Sequence, residues 1–147
     1  MADSVRYGVL STAQIALNRH VPAAAAADNA DVVAIASRNL GRAQAAAEKH
    51  GIARAYGSYQ ELIDDSEVDA IINPLPNGLH CEWTIKAAEA GKHILCEKPL
   101  AVSVEQAQKM IDAAATNGVQ LMEAFTHRFN PQMQYARRLI QEGELGQ

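Results

Sequence analysis

Two short runs in this 147-residue chain combine small or cationic residues with the spacing that ligand chemistry requires. In the first, Gly8-Val9-Leu10-Ser11-Thr12-Ala13-Gln14-Ile15-Ala16, an apolar run turns into a helical pattern. A helix N-terminus at such a turn offers unbonded N–H groups and a positive dipole end, which suits a pyrophosphate. The turn must be lined by small residues so that the backbone can approach the phosphates. Ser11, Ala13 and Ala16 take the three small positions of G-x-G-x-x-G/A, with Ser and Ala where the first two glycines usually stand. Ser11 and Thr12 add hydroxyl donors, and the methyl of Ala13 brings bulk toward the phosphates. The contacts read from this run are Ser11, Thr12, Ala13, Gln14 and Ile15. The second run, Ser37-Arg38-Asn39, closes the next apolar segment about 20 residues on, where an acid would face the ribose 2′-hydroxyl of NAD. An arginine stands there instead. Its guanidinium pairs bidentately with phosphate and stacks on adenine, with Ser37 as a neutral donor beside it, so the charge logic favours NADP(H) over NAD(H).

These runs need a scaffold that places them at one edge. Short apolar segments alternate with longer helical patterns along the chain, the rhythm of a parallel sheet covered on both faces. The strands are expected at Val5 to Leu10, Val32 to Ser37, Arg54 to Tyr56, Ala70 to Asn73, His93 to Cys96 and Gln120 to Ala124. Their nearly continuous apolar character suits burial on both sides. Helix ends carry local signals: Leu40 to His50 stops at Gly51, and Leu79 to Ala90 stops at Gly91. Ser58 with Glu61, and Ser103 with Gln106, read as capping boxes, and Asn130-Pro131 opens a last helix running to about Glu142. Pro22 is expected to break or kink the first helix, dividing it near Arg19 and His20. The fold class is therefore α/β, a Rossmann-type doubly wound parallel sheet with helices on both faces.

Composition narrows the function. With 13 basic and 17 acidic side chains the net charge is −4, and no basic stripe interleaved with aromatics suggests a nucleic-acid partner. The longest apolar stretch is an alanine run far short of the roughly 20 residues a membrane helix needs. Met1 to Arg6 shows no charged-then-apolar leader pattern, so a cytoplasmic location is expected. Cys81 and Cys96 lack CxxC spacing and metal-ligand companions; they read as reduced core thiols, with no metal site.

Two further segments, Asn73-Pro74-Leu75-Pro76-Asn77-Gly78-Leu79-His80 and Cys96-Glu97-Lys98-Pro99-Leu100-Ala101, follow strands at their carboxyl ends, where open α/β sheets bind ligands. The order and content of these segments resemble the Gfo/Idh/MocA oxidoreductases, nearest the branch of glucose-fructose oxidoreductase, dihydrodiol dehydrogenase and NADP-dependent xylose dehydrogenase. The resemblance runs from Val5 through Met122-Glu123-Ala124-Phe125-Thr126-His127-Arg128-Phe129-Asn130-Pro131-Gln132. It is most specific in Gly91-Lys92-His93-Ile94-Leu95-Cys96-Glu97-Lys98-Pro99. His127 stands where many relatives carry Tyr.

The resemblance implies a hydride transfer between a nicotinamide cofactor and a sugar, polyol or related alcohol. It implies Lys98 as the catalytic residue beside the nicotinamide, its ammonium stabilising an alkoxide-like oxygen or, if buried, holding a proton relay. Glu97 would contact the ribose hydroxyls or orient Lys98, and the Lys98-Pro99 bond would be cis. Leu75, Pro76 and Asn77 would line the cofactor, and Arg128 would lie near it. His80 is placed either at the cofactor or packed at the start of the helix beginning near Leu79; His20, His50 and His93 read as structural. Residues 1–125 would form the NAD(P)-binding domain and 126–147 a connecting helix leading to an α+β substrate domain that is absent from this chain. The resemblance also allows a homo-oligomer. Two alternatives remain: a free-standing nucleotide-binding or interaction module, and an S-adenosylmethionine-dependent methyltransferase, against which Arg38 speaks.

Overall fold

The computed structural model describes residues 4–144 and 146; Met1 to Asp3, read above for a leader pattern, and Leu145 and Gln147 lie outside the described residues. Six strands form, β1 Val5–Leu10, β2 Ala30–Ala36, β3 Arg54–Tyr56, β4 Ala70–Asn73, β5 His93–Cys96 and β6 Leu121–Glu123. They pair in the order β3-β2-β1-β4-β5-β6, every pairing parallel. The order reverses direction at β1, so the turns after β1 and β4 diverge and leave a crevice at the carboxyl edge.

Alternation along each strand separates two cores. Leu10, Ala34, Ile71 and Ile94 point to one face, where they pack with Leu62, Ala87 and Met110. Val9, Ile35 and Ile72 point to the other, against Ala16, Val21, Ala46 and Ala47. The first face is covered by α3 Tyr59–Ile63, α4 Asn77–Glu89 and α5 Val104–Thr116. The second is covered by residues 14–25, which include α1 Val21–Ala25, and by α2 Leu40–His50. Alanines on the inner faces let the helices approach closely. Gly8 shows how closely: a Cβ there would sit 2.5 Å from Leu62 Cδ2.

The expected caps form in part: Ser58, Ser103 and Asn130 act as N-caps, but Glu61 Oε2 accepts the Gly57 N–H rather than that of Ser58 and Gln106 Oε1 has no hydrogen-bond partner among the described residues, so neither capping box closes. Asn39, Ser58, Ser103 and Asn130 each accept the N–H of Arg42, Glu61, Gln106 and Gln132, and Gly51 adopts φ 67° to close α2. Several ends shift by one residue, as in β6; two starts shift by two, and one helix continues where a break or kink was expected. β2 starts at Ala30 because Ala30 and Asp31 pair with Val5 and Arg6. α4 starts at Asn77, two residues before Leu79, with Pro76 as its cap. Residues 14–25 stay helical across Pro22: a π-turn spans Ala16–His20, and the Val21 N–H reaches back to Ala16 O. Proline at 22 removes one helical bond and crowds the carbonyl four residues earlier, and the wider turn relieves the crowding without breaking the helix. The last helix is α6 Pro131–Gln141, with no buried residue. No helix among the described residues is long and apolar enough to cross a membrane.

Candidate functional site

The loop after β1 is where the small residues were expected to matter. Ser11 sits at φ 145°, the only described non-glycine residue at positive φ. Glycine adopts this conformation without cost, so the usual glycine at this position has a backbone reason. Ser11 Oγ accepts the Ala13 N–H at 3.2 Å, which stitches the turn. The first helical bond then runs from Leu17 N–H to Ala13 O. The amides of Gln14, Ile15 and Ala16 precede it and have no acceptor within the helix, as at any helix start.

The end of β2 faces this loop. Ser37 is tied by its N–H to Tyr56 O, and Ser37 Oγ accepts the Asn39 N–H. Asn39 caps α2, and Arg38 and Arg42 lie on either side of that cap. Both guanidinium groups line one cleft of about 810 Å³ with Ser11, Thr12, Ala13 and Ser37, closed on the far side by Leu75 and Pro76. Neither arginine has an ion-pair partner among the described residues. Arg42 was not singled out in the sequence. Its signal was its place three residues after the α2 cap, which fixes it next to Arg38.

The turns after β4 and β5 are braced from below. Asn73 is fully buried; its side chain donates to His80 O and Thr84 Oγ1 and accepts the Leu75 N–H. His80 is fully buried as well, its Nε2 2.7 Å from Leu75 O and its Nδ1 2.8 Å from Pro99 O. Both ring nitrogens thus face carbonyl oxygens of the two turns, and no ring surface is exposed. This corrects the placement of His80 at the cofactor: it packs at the start of α4 and joins the loops. Leu100 N–H is held by Glu123 Oε1 at the end of β6, and the Lys98-Pro99 bond is cis. Burial pushes the Cys96 thiol up to about 12, so this residue beneath the turn stays a protonated core group.

On the other side of the helix start lies a second cleft of about 840 Å³, lined by Ile15, Arg19, His20, Glu97, Lys98 and the segment 124–127. Glu97 Oε1 lies 2.8 Å from His20 Nε2, and Glu97 Oε2 accepts the Lys98 N–H. His20, read as structural, therefore belongs to this cleft. Lys98 is exposed, so the burial on which a proton-relay role was premised is not provided by this chain. Arg128 lies outside both main clefts; it shares a smaller pocket of about 420 Å³ with Lys98, Pro99, Glu123 and Phe125. Asn77 is exposed at the start of α4 and lines neither main cleft, and Gln14 Oε1 accepts from the Asn18 side chain at the surface, with Gln14 likewise lining neither cleft. No group of three His, Cys, Asp or Glu suited to a metal occurs among the described residues.

The chain is similar to known proteins over nearly its whole length. The sequence model of the Gfo/Idh/MocA oxidoreductase family, NAD-binding Rossmann fold, matches residues 5–125. An oxidoreductase of Rhizobium meliloti is 48% identical over 99% of this chain, and a D-xylose 1-dehydrogenase (NADP(+)) of Haloferax volcanii is 45% identical over 95%. The crystal structure of a 3-ketoreductase mutant from Actinomadura kijaniata, in complex with TDP-benzene and NADP, superposes with a TM-score of 0.91 at 38% identity over 96% of this chain. In each case the chain spans less than half of the relative, 43%, 42% and 43% respectively.

Proposed function

The chain belongs to the Gfo/Idh/MocA oxidoreductase family, and on that premise we propose that it is the NADP(H)-binding part of an enzyme that moves a hydride to or from a sugar, polyol or related alcohol. The observation that carries the cofactor reading is the 810 Å³ cleft. It combines a tight small-residue turn, a helix start with free amides and two unpaired guanidinium groups. This donor set suits a dinucleotide with an added 2′-phosphate: amides of the 11–16 segment for the pyrophosphate, Arg38 and Arg42 for the phosphate on the ribose. NAD(H) lacks that phosphate and is expected to bind more weakly. The 3-ketoreductase and the xylose dehydrogenase, both named with NADP, support the same preference.

When bound, the nicotinamide supplies the hydride chemistry. The residues of this chain hold and orient it. Ile15 provides an apolar wall, Glu97 offers carboxylate oxygens to hydroxyl groups, and Lys98 brings an ammonium that stabilises negative charge developing on a substrate oxygen. Leu75 and Pro76, held by His80, shape the far wall. We assign residues 1–125 to the cofactor domain and 126–147 to the connection onward, with substrate-side groups contributed by the length that relatives have beyond this match. A cytoplasmic enzyme, with neither nucleic acid nor membrane among its partners and with self-association as a homo-oligomer, completes the reading.

Titration of NADPH, NADH and S-adenosylmethionine into the purified chain tests this. The expected order is NADPH, then NADH, with S-adenosylmethionine silent, and Arg38→Ala narrows the gap between the first two. Equal or tighter binding of NADH would overturn the role of Arg38.

A further inference from the structure

We infer that His20 is a positioning residue for Glu97, brought to the cleft by the π-turn that accompanies Pro22. The inference rests on the dinucleotide reading for the ligand that Glu97 meets. The pair joins parts of the chain 77 residues apart: His20 Nε2 and Glu97 Oε1 are 2.8 Å apart, with their side chains only 12% and 13% exposed. Glu97 Oε2 is held separately by the Lys98 N–H at 3.0 Å. Each carboxylate oxygen therefore has one fixed protein partner. A carboxylate has about four acceptor sites, so two remain for hydroxyl donors arriving in the cleft. A glutamate at a strand end would otherwise sample several rotamers. Fixing it in advance removes an ordering cost from ligand binding.

The helix delivers His20 through an irregularity. In a regular α-helix successive residues turn by about 100°. The five-residue π-turn over Ala16–His20 is wider, so by its end, at His20, the chain has shifted toward a displacement on the order of one α-helical position, about 100°, around the axis. Ala16, Val21 and Ala24 stay on the buried face while His20, half-buried at its edge, reaches the end of β5. Arg19 and Asn18, its neighbours in sequence, line the same cleft without bonding Glu97.

The test compares NADPH with adenosine 2′,5′-bisphosphate, which carries the adenosine end and lacks the nicotinamide half. Wild-type chain, His20→Leu and His20→Gln are titrated with both. His20→Leu is expected to weaken NADPH about tenfold, the scale of one hydrogen bond to a charged group, and to change the bisphosphate by less than about twofold. His20→Gln, whose amide can donate to Glu97, is expected to recover most of the NADPH affinity. An unchanged NADPH affinity in His20→Leu overturns the inference, as does an equal loss for both ligands, which would mean a general effect on the fold. A wild-type chain that binds neither ligand overturns the dinucleotide reading itself. One that binds the bisphosphate and gains nothing from the nicotinamide half overturns the inference alone.

Discussion

At Ser11 the backbone holds a φ of 145° that a side chain resists. Such conformations cost of order 1–3 kcal/mol and persist where the surroundings enforce them. Ser11→Gly is expected to change stability by less than about 1 kcal/mol, because relief of strain offsets the lost Oγ bond and the added freedom of the unfolded chain. Ser11→Val, β-branched and without the hydroxyl, is expected to cost about 2 kcal/mol or more in urea unfolding. The two thiols differ in the same local way. Cys96 is buried and raised to about 12, whereas Cys81 is half-buried. A thiol reagent at pH 8 is expected to modify no more than one cysteine per native chain and two after denaturation. For Lys98, replacement by Ala in the protein carrying the relatives' full length is expected to lower turnover by about 100-fold while NADPH affinity changes little. Equal turnover would remove the catalytic assignment. Residue type and spacing singled out Ser11 and Arg38, the family resemblance singled out Glu97 and Lys98, and the structure brings each pair to one cleft. The link of His20 to Glu97 was not legible, because nothing local in either segment records a partner 77 residues away.

Elements were most legible where their ends rely on local chemistry. α2 begins and ends at Leu40 and His50 because Asn39 and Gly51 satisfy the terminal backbone groups themselves. β2 starts two residues before its apolar run because pairing with β1 extends it to Ala30 and Asp31. In residues 14–25 the proline signals an irregularity near His20 but not its kind: the helix continues through a π-turn, and a bond five residues long is invisible to a 3.6-residue period. These elements carry their own tests. Asn39→Ala removes the acceptor for Arg42 N–H and is expected to cost about 1 kcal/mol. It should also weaken NADPH more than NADH, since the cap spaces Arg38 from Arg42. Pro22→Ala is expected to let residues 14–25 return to regular α-turns, keeping the helix content seen by circular dichroism. It should weaken NADPH in the manner of His20→Leu, and unchanged affinity would dissociate the π-turn from Glu97.

Across the whole molecule, one sheet edge gathers turns from four strands, and the opposite edge is tied by charge. Arg6, at the start of β1, donates to Asp69 from Nε, Nη2 and its backbone, and also meets Glu67. Its side-chain hydrogen bonds hold the Asp69 carboxyl down at about 2. A carboxylate depressed in the folded state stabilises above its unfolded value near 4 and ceases to do so as pH falls through its folded value. The stability difference between wild type and Arg6→Met is therefore expected to be full near neutrality and to shrink between about pH 4 and pH 2, as followed by acid unfolding. The parallel, doubly wound sheet was legible because βαβ rhythm leaves few topologies, whereas the division of the cleft into two sides of a helix start emerged only from the packing. The central claim, that this edge holds a dinucleotide across both clefts, is tested most directly by a crystal structure of the chain grown with NADPH. The 2′-phosphate is expected between Arg38 and Arg42, the pyrophosphate at the amides of the 11–16 segment and the nicotinamide beside Glu97 and Lys98. A nucleotide bound elsewhere, or a nicotinamide turned away from Lys98, would contradict it.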